Sequence, residues 1–199
     1  EMLDRRLQGG VPAGDVVAFT APADTQAELL LEAIACERET VFVSTLRTAA
    51  ETKRTLVDAG ADLGSPRVSS ADPDDLLSDP GRSVGQVPER SNLVVEGVGA
   101  LEADAREPYL QFLDAVKSSV SNTESVGLLF GIDRETDPPR RSLTLHRADH
   151  VWRLYQELTN KGLRTTFSVP KRRGGAALRE PIQVRLTDEV EVDTSRDIA

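Results

Sequence analysis

The sequence predicts an α/β fold in three layers: a mostly parallel central sheet, helices on both faces, and a C-terminal antiparallel hairpin extension. Three observations lead there. Short, near-continuous apolar runs such as VVAFTA (16–21) and TVFVST (40–45) alternate with helix-periodic stretches, as strands buried on both faces of a parallel sheet do. That alternation stops near residue 150, where VWRLYQELTNKGLRTTFSVP reads as two runs joined at Asn160-Lys161-Gly162, a hairpin signal. Finally, 199 residues with 39% hydrophobic and 29% charged content suit one well-buried domain over 1–199 and argue against wholesale disorder.

The elements follow in order. LDRRLQGGVPAGD (3–15) has the Gly and Pro density of a loop feeding the strand at Val16. The helix after that strand is expected to bury Leu29, Leu30, Ala33 and Ile34. The strand at 40–45 leads to a helix over 49–59 that ends at Gly60, a natural C-terminal stop. Residues 65–91 are rich in Pro, Gly, Ser and Asp and read as a long irregular segment, interrupted by a short strand and one helical turn at DPDDLL. SNLVVEGVGAL (91–101) is the next buried strand. A helix over 108–119 turns Tyr109, Phe112, Leu113 and Val116 inward, and VGLLFGID (126–133) is a further strand. A short helix at 142–148 precedes the hairpin. IQVRLT and EVEVD complete an antiparallel region over 150–193.

Charge is unevenly spread. The net charge is −9, yet residues 134–185 hold 12 Arg and Lys against 5 Asp and Glu. An acidic body disfavours nonspecific nucleic-acid binding, while the basic segment supplies one local anion-attracting patch. Arg outnumbers Lys by 20 to 4, which together with the acidity resembles a salt-adapted, archaeal-like protein. No apolar run reaches the length of a membrane span, and no leader pattern opens the chain, so a cytoplasmic location without membrane insertion is expected. One cysteine, Cys36, excludes an intramolecular disulfide and a Cys-based zinc cluster, and is expected to be a small core residue.

Between the first strand and its helix lies the turn APADTQAE (21–28). Thr25-Gln26-Ala27-Glu28 has the form of a capping box, in which Thr25 would accept from the N–H of Glu28 and Glu28 would reach back to Thr25. A helix start closed in this way satisfies its own free donors and dipole.

The order of features resembles the KaiC-like branch of the RecA-type ATPases. The residues that carry the resemblance are Leu3, Asp4, Leu7, Gly9, Gly10, Val11, Pro12 and Gly14 before the first strand, SNLVVEG at the Walker B strand, and ADHVWRL with LRTTFSVPKRRGG at the end. It implies a RecA-like domain along most of the chain. A working phosphate loop has the form G-x-x-x-x-G-K-[ST], whose glycines cradle phosphate, whose lysine reaches it and whose hydroxyl binds Mg²⁺. Laid on that form, the chain offers Ala21, Asp24, Thr25, Gln26, Ala27 and Glu28, with Ala27 at the lysine and Glu28 at the hydroxyl position. Each carboxylate within ~4 Å of a phosphate would cost about 4 kcal/mol at an effective dielectric near 20.

The family's adjacent glutamates after the second strand are replaced by Leu46 and Arg47, neither of which serves as a base at neutral pH. Glu96 stands at the Walker B aspartate position; one carboxylate without phosphate or hydroxyl partners is a poor Mg²⁺ site, and no metal is expected. The resemblance also implies that Lys171 and Arg173, with Arg172 between them, reach a neighbouring subunit's nucleotide. The alternatives are an acidic partner or a solvated hairpin end.

Smaller candidates are set beside duller explanations. His146, Asp149 and His150 have metal-ligand spacing but fall where a helix gives way to a strand, with no evident further protein ligand. Asp133 closes a strand near Glu96 and is read as an acid at the sheet's carboxyl edge. Aromatic content of 4% and the lack of a nucleic-acid motif make nucleic-acid association the weakest reading. The sequence therefore predicts a non-catalytic KaiC-like pseudo-ATPase without a cofactor, regulatory or scaffolding through a protein partner, whether an active paralogue or another copy. The alternative is a residual ATP-binding subunit, with ATP and Mg²⁺, that completes a site in trans through Lys171 and Arg173.

Overall fold

A computed structural model describes residues 9–61, 66–160, 162–178, 180–186 and 190–192, with 190–192 described by backbone alone. Leu3, Asp4 and Leu7 of the entry signature lie outside the described residues, as do Lys161 of the hairpin turn and the ends of EVEVD.

Among the described residues nine strands form one sheet. They are β1 (Val16–Pro22), β2 (Thr40–Ser44), β3 (Arg67–Ser70), β4 (Asn92–Glu96), β5 (Val126–Asp133), β6 (His150–Thr159), β7 (Gly162–Arg172), β8 (Ile182–Leu186) and β9 (Val190–Val192). Their order is β3-β2-β4-β5-β1-β6-β7-β8-β9. The pairs from β3 through β6 are parallel and those from β6 through β9 antiparallel, so the parallel core with an antiparallel extension is as the sequence predicts. The helices are α1 (Ala27–Glu37), α2 (Ala49–Asp58), α3 (Pro73–Ser78), α4 (Pro80–Val84), α5 (Arg106–Asn122) and α6 (Arg141–Arg147).

Period-2 alternation divides the strand side chains between two cores. On one face Val17, Phe19, Phe42, Val94, Leu128 and Phe130 pack with Leu30 and Leu31 of α1 and Leu56 of α2; Leu154, Phe167 and Val184 of the extension join them. On the other, Val43, Leu93, Val95 and Leu129 pack with Leu76, Val84, Tyr109, Phe112 and Val116 of α3, α4 and α5. Ring contacts of Phe19 with Trp152 and with Phe167, centroids 6.5 Å apart in each pair, tie the parallel core to the extension.

Several local expectations are corrected. Helix α1 buries Ala27, Leu30, Leu31, Glu32 and Ala35, while Ala33 is exposed and Leu29 and Ile34 are half-buried. LLLEAIA is apolar almost all round, so periodicity leaves the stripe uncertain by one position. Cys36 is exposed rather than a core residue, because it falls off that stripe. Helix α4 is unannounced in the sequence, being a five-residue turn begun by Pro80. Gly60, at φ +98°, ends α2 as expected: its N–H bonds to Val57 O and that of Ala61 to Leu56 O, a Schellman closure.

Candidate functional site

The carboxyl ends of β1, β2, β4 and β5 define one edge of the parallel sheet, where an open α/β sheet carries its ligand. Three features occupy it. The first is the turn into α1. The Thr25 hydroxyl donates to Pro22 O at 2.7 Å, the residue capping α1 is Gln26, and no side chain caps the helix. The Thr25–Glu28 capping box is therefore not formed. Thr25 is buried and its hydroxyl closes the Pro22 turn, which moves the helix start one residue on and takes Glu28 out of register for the reciprocal bond. A capping box does form on the neighbouring helix, where Thr48 Oγ1 accepts from Glu51 N at 3.3 Å and Thr48 N donates to Glu51 Oε2 at 3.0 Å.

The second feature is a closed ion pair. Strand pairing sets Ser44 opposite Glu96, and both lie on the α1 face, in phase with Phe42 and Val94. Arg47 grips Glu96 with two bonds, Nη2 to Oε1 at 2.6 Å and Nε to Oε2 at 3.1 Å. Ser44 donates to Glu96 Oε2 at 2.5 Å, and its oxygen accepts from the N–H groups of Leu46 and Arg47. Glu96 is only 2% exposed. Burial would lower the guanidinium's affinity for its proton, but the bond to Glu96 and its charge outweigh that and leave Arg47 above its ordinary value. A forked, charge-assisted pair of this kind fills the carboxylate's lone pairs with the protein's own cation. Gly97 turns the chain beneath it at φ +86°, where a Cβ would meet Leu46 Cγ at 2.6 Å.

The third feature is Glu32, on α1. It is buried, and its pKa is pushed up to about 7 by burial and by the charges of Glu28 and Glu96, against the pull of Arg47. Asp133 lies three residues beyond the level of Glu96, since Glu96 pairs with Phe130. It faces the opposite side of the sheet, where Arg141 Nη1 reaches it at 3.3 Å. Arg141 also binds buried Glu102 at 2.9 Å, and Glu102 accepts from Thr144 at 2.5 Å. This network anchors α6 against the turn after β4.

Lys171, Arg172 and Arg173 lie at the opposite, amino edge, because β7 runs antiparallel to β6 and ends beside its start. The Lys171 ammonium donates to three carbonyls at the end of α6, Leu145 and His146 at 2.8 Å and Ala148 at 2.6 Å. It is a helix C-terminal cap. Burial, and after it the charge of Arg173, lower its pKa. Arg172 is half-buried and lies over Gly175. Arg173 is 60% exposed and bonds Asp149 Oδ1 through Nε at 2.7 Å. Asp149, itself buried, also takes Lys117 at 2.7 Å and the Val16 N–H at 2.9 Å. A cavity of about 320 Å³ opens beside them, lined by Lys117, Arg147 and Arg173 among others.

The His146–Asp149–His150 grouping does not converge: His146 is exposed, Asp149 is engaged as described, and His150 Nε2 contacts Asp15 at 2.9 Å. Among the described residues no cluster of three or more His, Cys, Asp or Glu is arranged to hold a metal, and no helix is long and apolar enough to cross a membrane. Sequence reasoning named Glu96 and Arg47 separately but missed their pairing, Glu32, and the Asp149 network. The signal for the last is an acid immediately before each of two adjacent strands, Asp15 before β1 and Asp149 before β6.

Comparison with known proteins agrees with this architecture. The crystal structure of the KaiC-like protein PH0186 from the hyperthermophilic archaeon Pyrococcus horikoshii OT3 superimposes with a TM-score of 0.76 over 96% of this chain and 94% of that one, at 16% identity. At that identity the likeness concerns the fold, which is KaiC-like and RecA-type. No curated protein matches the sequence. The family described as a family of unknown function, DUF7125, matches residues 1–199, and the chain belongs to that family.

Proposed function

We propose that the chain is a pseudo-ATPase, a non-catalytic protein on a KaiC-like fold that acts as a regulatory or scaffolding subunit through protein contacts. The observation that carries this is the Arg47–Glu96 pair. Nucleotide chemistry at this edge needs a carboxylate open to a metal ion and a base beside it. Here the carboxylate is held by two bonds from Arg47 and one from Ser44. The positions of a phosphate-binding lysine and hydroxyl are Ala27 and Glu28, and no ATP or Mg²⁺ is required. Calorimetry of the chain with Mg-ATP is expected to show no heat of binding; a micromolar dissociation constant would overturn the reading.

A second reading is favoured by the exposure of Arg173 beside the amino-edge cavity. That edge is remote from Glu96, so the cationic turn would serve a nucleotide or acidic group on a neighbouring molecule rather than one on its own chain. In this reading Lys171 holds the turn and Arg173 makes the contact. Mixing with an active KaiC-like paralogue should then change that partner's hydrolysis rate, and Arg173→Ala should abolish the change. An effect that survives the substitution removes Arg173 from the role.

A further inference from the structure

A cavity of about 400 Å³ on the α5 side of the sheet is walled by Arg106, Pro139, Arg140, Ser142, Leu143 and His146. Its position follows from the local structure. Arg106 opens α5. The Arg140 N–H donates to Glu102 O at 3.1 Å, which fixes the turn into α6. The buried Arg141 side chain holds the inner face of that helix on Glu102. Ser142 and His146, four residues apart and so on one helical face, are left with Leu143 toward the start of α5.

In a chain of net charge −9, no Asp or Glu among the described residues lines this cavity. Elsewhere on the same two helices the cations have acids, Arg141 on Glu102 and Arg147 on Asp114. Arg106 and Arg140 have neither an ion pair nor a side-chain hydrogen bond among the described residues. Arg140 is half-buried, and its Nε is shut from water without an acceptor. A guanidinium partly desolvated in this way, with no counter-charge, carries a cost that an anion beside it relieves. The acids close in sequence, Asp104, Glu107 and Asp137, are exposed and stand outside the walls.

We propose that this cavity binds a small phosphomonoester, with the phosphate on Arg106 and Arg140 and the ester group against Pro139 and Leu143. Guanidinium forks take both carboxylate and phosphate. Here they stand on separate elements, and the Ser142 hydroxyl and His146 ring add donors from α6. Donors on separate elements suit a tetrahedral set of oxygens better than the two coplanar oxygens of a carboxylate. The volume exceeds that of a bare phosphate and falls within the range of small-molecule sites, about 300–1,000 Å³, so the apolar walls have room for an ester group. The cavity shares His146 with the one at the amino edge but contains none of Lys117, Arg147 and Arg173. It involves neither Arg173 nor the Arg47–Glu96 pair, so it stands apart from both readings above.

The experiment is an NMR titration of the full chain with phenyl phosphate, inorganic phosphate and benzoate, each exchanged against chloride at constant ionic strength. The Ser142, Leu143 and His146 amides and the Arg106 and Arg140 Nε–H signals should move saturably with phenyl phosphate. Inorganic phosphate should bind more weakly, and benzoate most weakly of the three. Arg106→Gln and Arg140→Gln should each weaken phenyl phosphate binding about tenfold, whereas Arg54→Gln, an exposed cation of α2, should leave it unchanged. Arg106 is itself exposed, so its variant keeps the test intact even if Arg140→Gln does not fold. Shifts that fail to saturate, benzoate or inorganic phosphate binding as tightly as phenyl phosphate, or binding that survives both substitutions overturn the proposal, as does an equal loss in Arg54→Gln.

Discussion

The two edges of the parallel sheet hold the same kind of object, a buried carboxylate in an ionic network, and they differ in how many partners it has. Among the described residues Glu96, at the carboxyl edge, has one cation, Arg47, whose own exposure is 25%. At the amino edge Asp149 has two, Lys117 and Arg173, 44% and 60% exposed, together with a backbone N–H from Val16. For Asp149, burial raises the pKa, but the Lys117 bond, the Val16 N–H and the two positive charges more than offset it and leave the carboxyl below its ordinary value. The first network is a single ionic link. The second is redundant. A single link can be broken by one substitution, whereas a redundant one holds the ends of β1, α5, β6 and β7 together regardless.

The sharpest test of that contrast is Arg47→Ala. It strands Glu96, a carboxylate almost wholly removed from water, with only the Ser44 hydroxyl, and breaking a buried pair from one side is expected to cost about 3 kcal/mol. Urea unfolding at neutral pH should show that loss as a lower midpoint. Replacing both partners, Arg47→Met with Glu96→Leu, should recover most of the loss, because the penalty belongs to the orphaned charge rather than to a missing attraction. A single variant that loses nothing would mean that the pair is solvated, and the contrast between the edges would fail.

Much of the fold was legible because most of the parallel strands are covered on both faces. VVAFTA, TVFVST, NLVV and GLLFGID are near-continuous apolar runs for that reason, and each forms or overlaps a strand. The same physics leaves β3 foreseen only as an unplaced short strand within 65–91: at the sheet's edge its side chains need not be apolar, and RVSS is mostly exposed. The candidate site was legible position by position and not as an arrangement. Arg47 and Glu96 are 49 residues apart, and they meet because β4 returns to lie beside β2, a matter of strand order that no local pattern encodes. Lys171 misleads for the opposite reason. A run of charges reads as solvated surface, yet this lysine's three donors are all taken by the end of α6.

The smallest expected effect comes from removing one cation of the redundant edge. Arg173→Ala takes away a half-exposed guanidinium and leaves Asp149 with Lys117 and the Val16 N–H, so the stability change should stay within about 1 kcal/mol. Its small size is what makes the variant useful. Because the fold is retained, an altered effect on a paralogue's hydrolysis rate can be assigned to the lost contact and not to unfolding. If instead Arg173→Ala costs as much as Arg47→Ala, the amino edge is not redundant. The exposed guanidinium would then be a structural member of the Asp149 network, and the case for its reaching a neighbouring molecule would weaken accordingly.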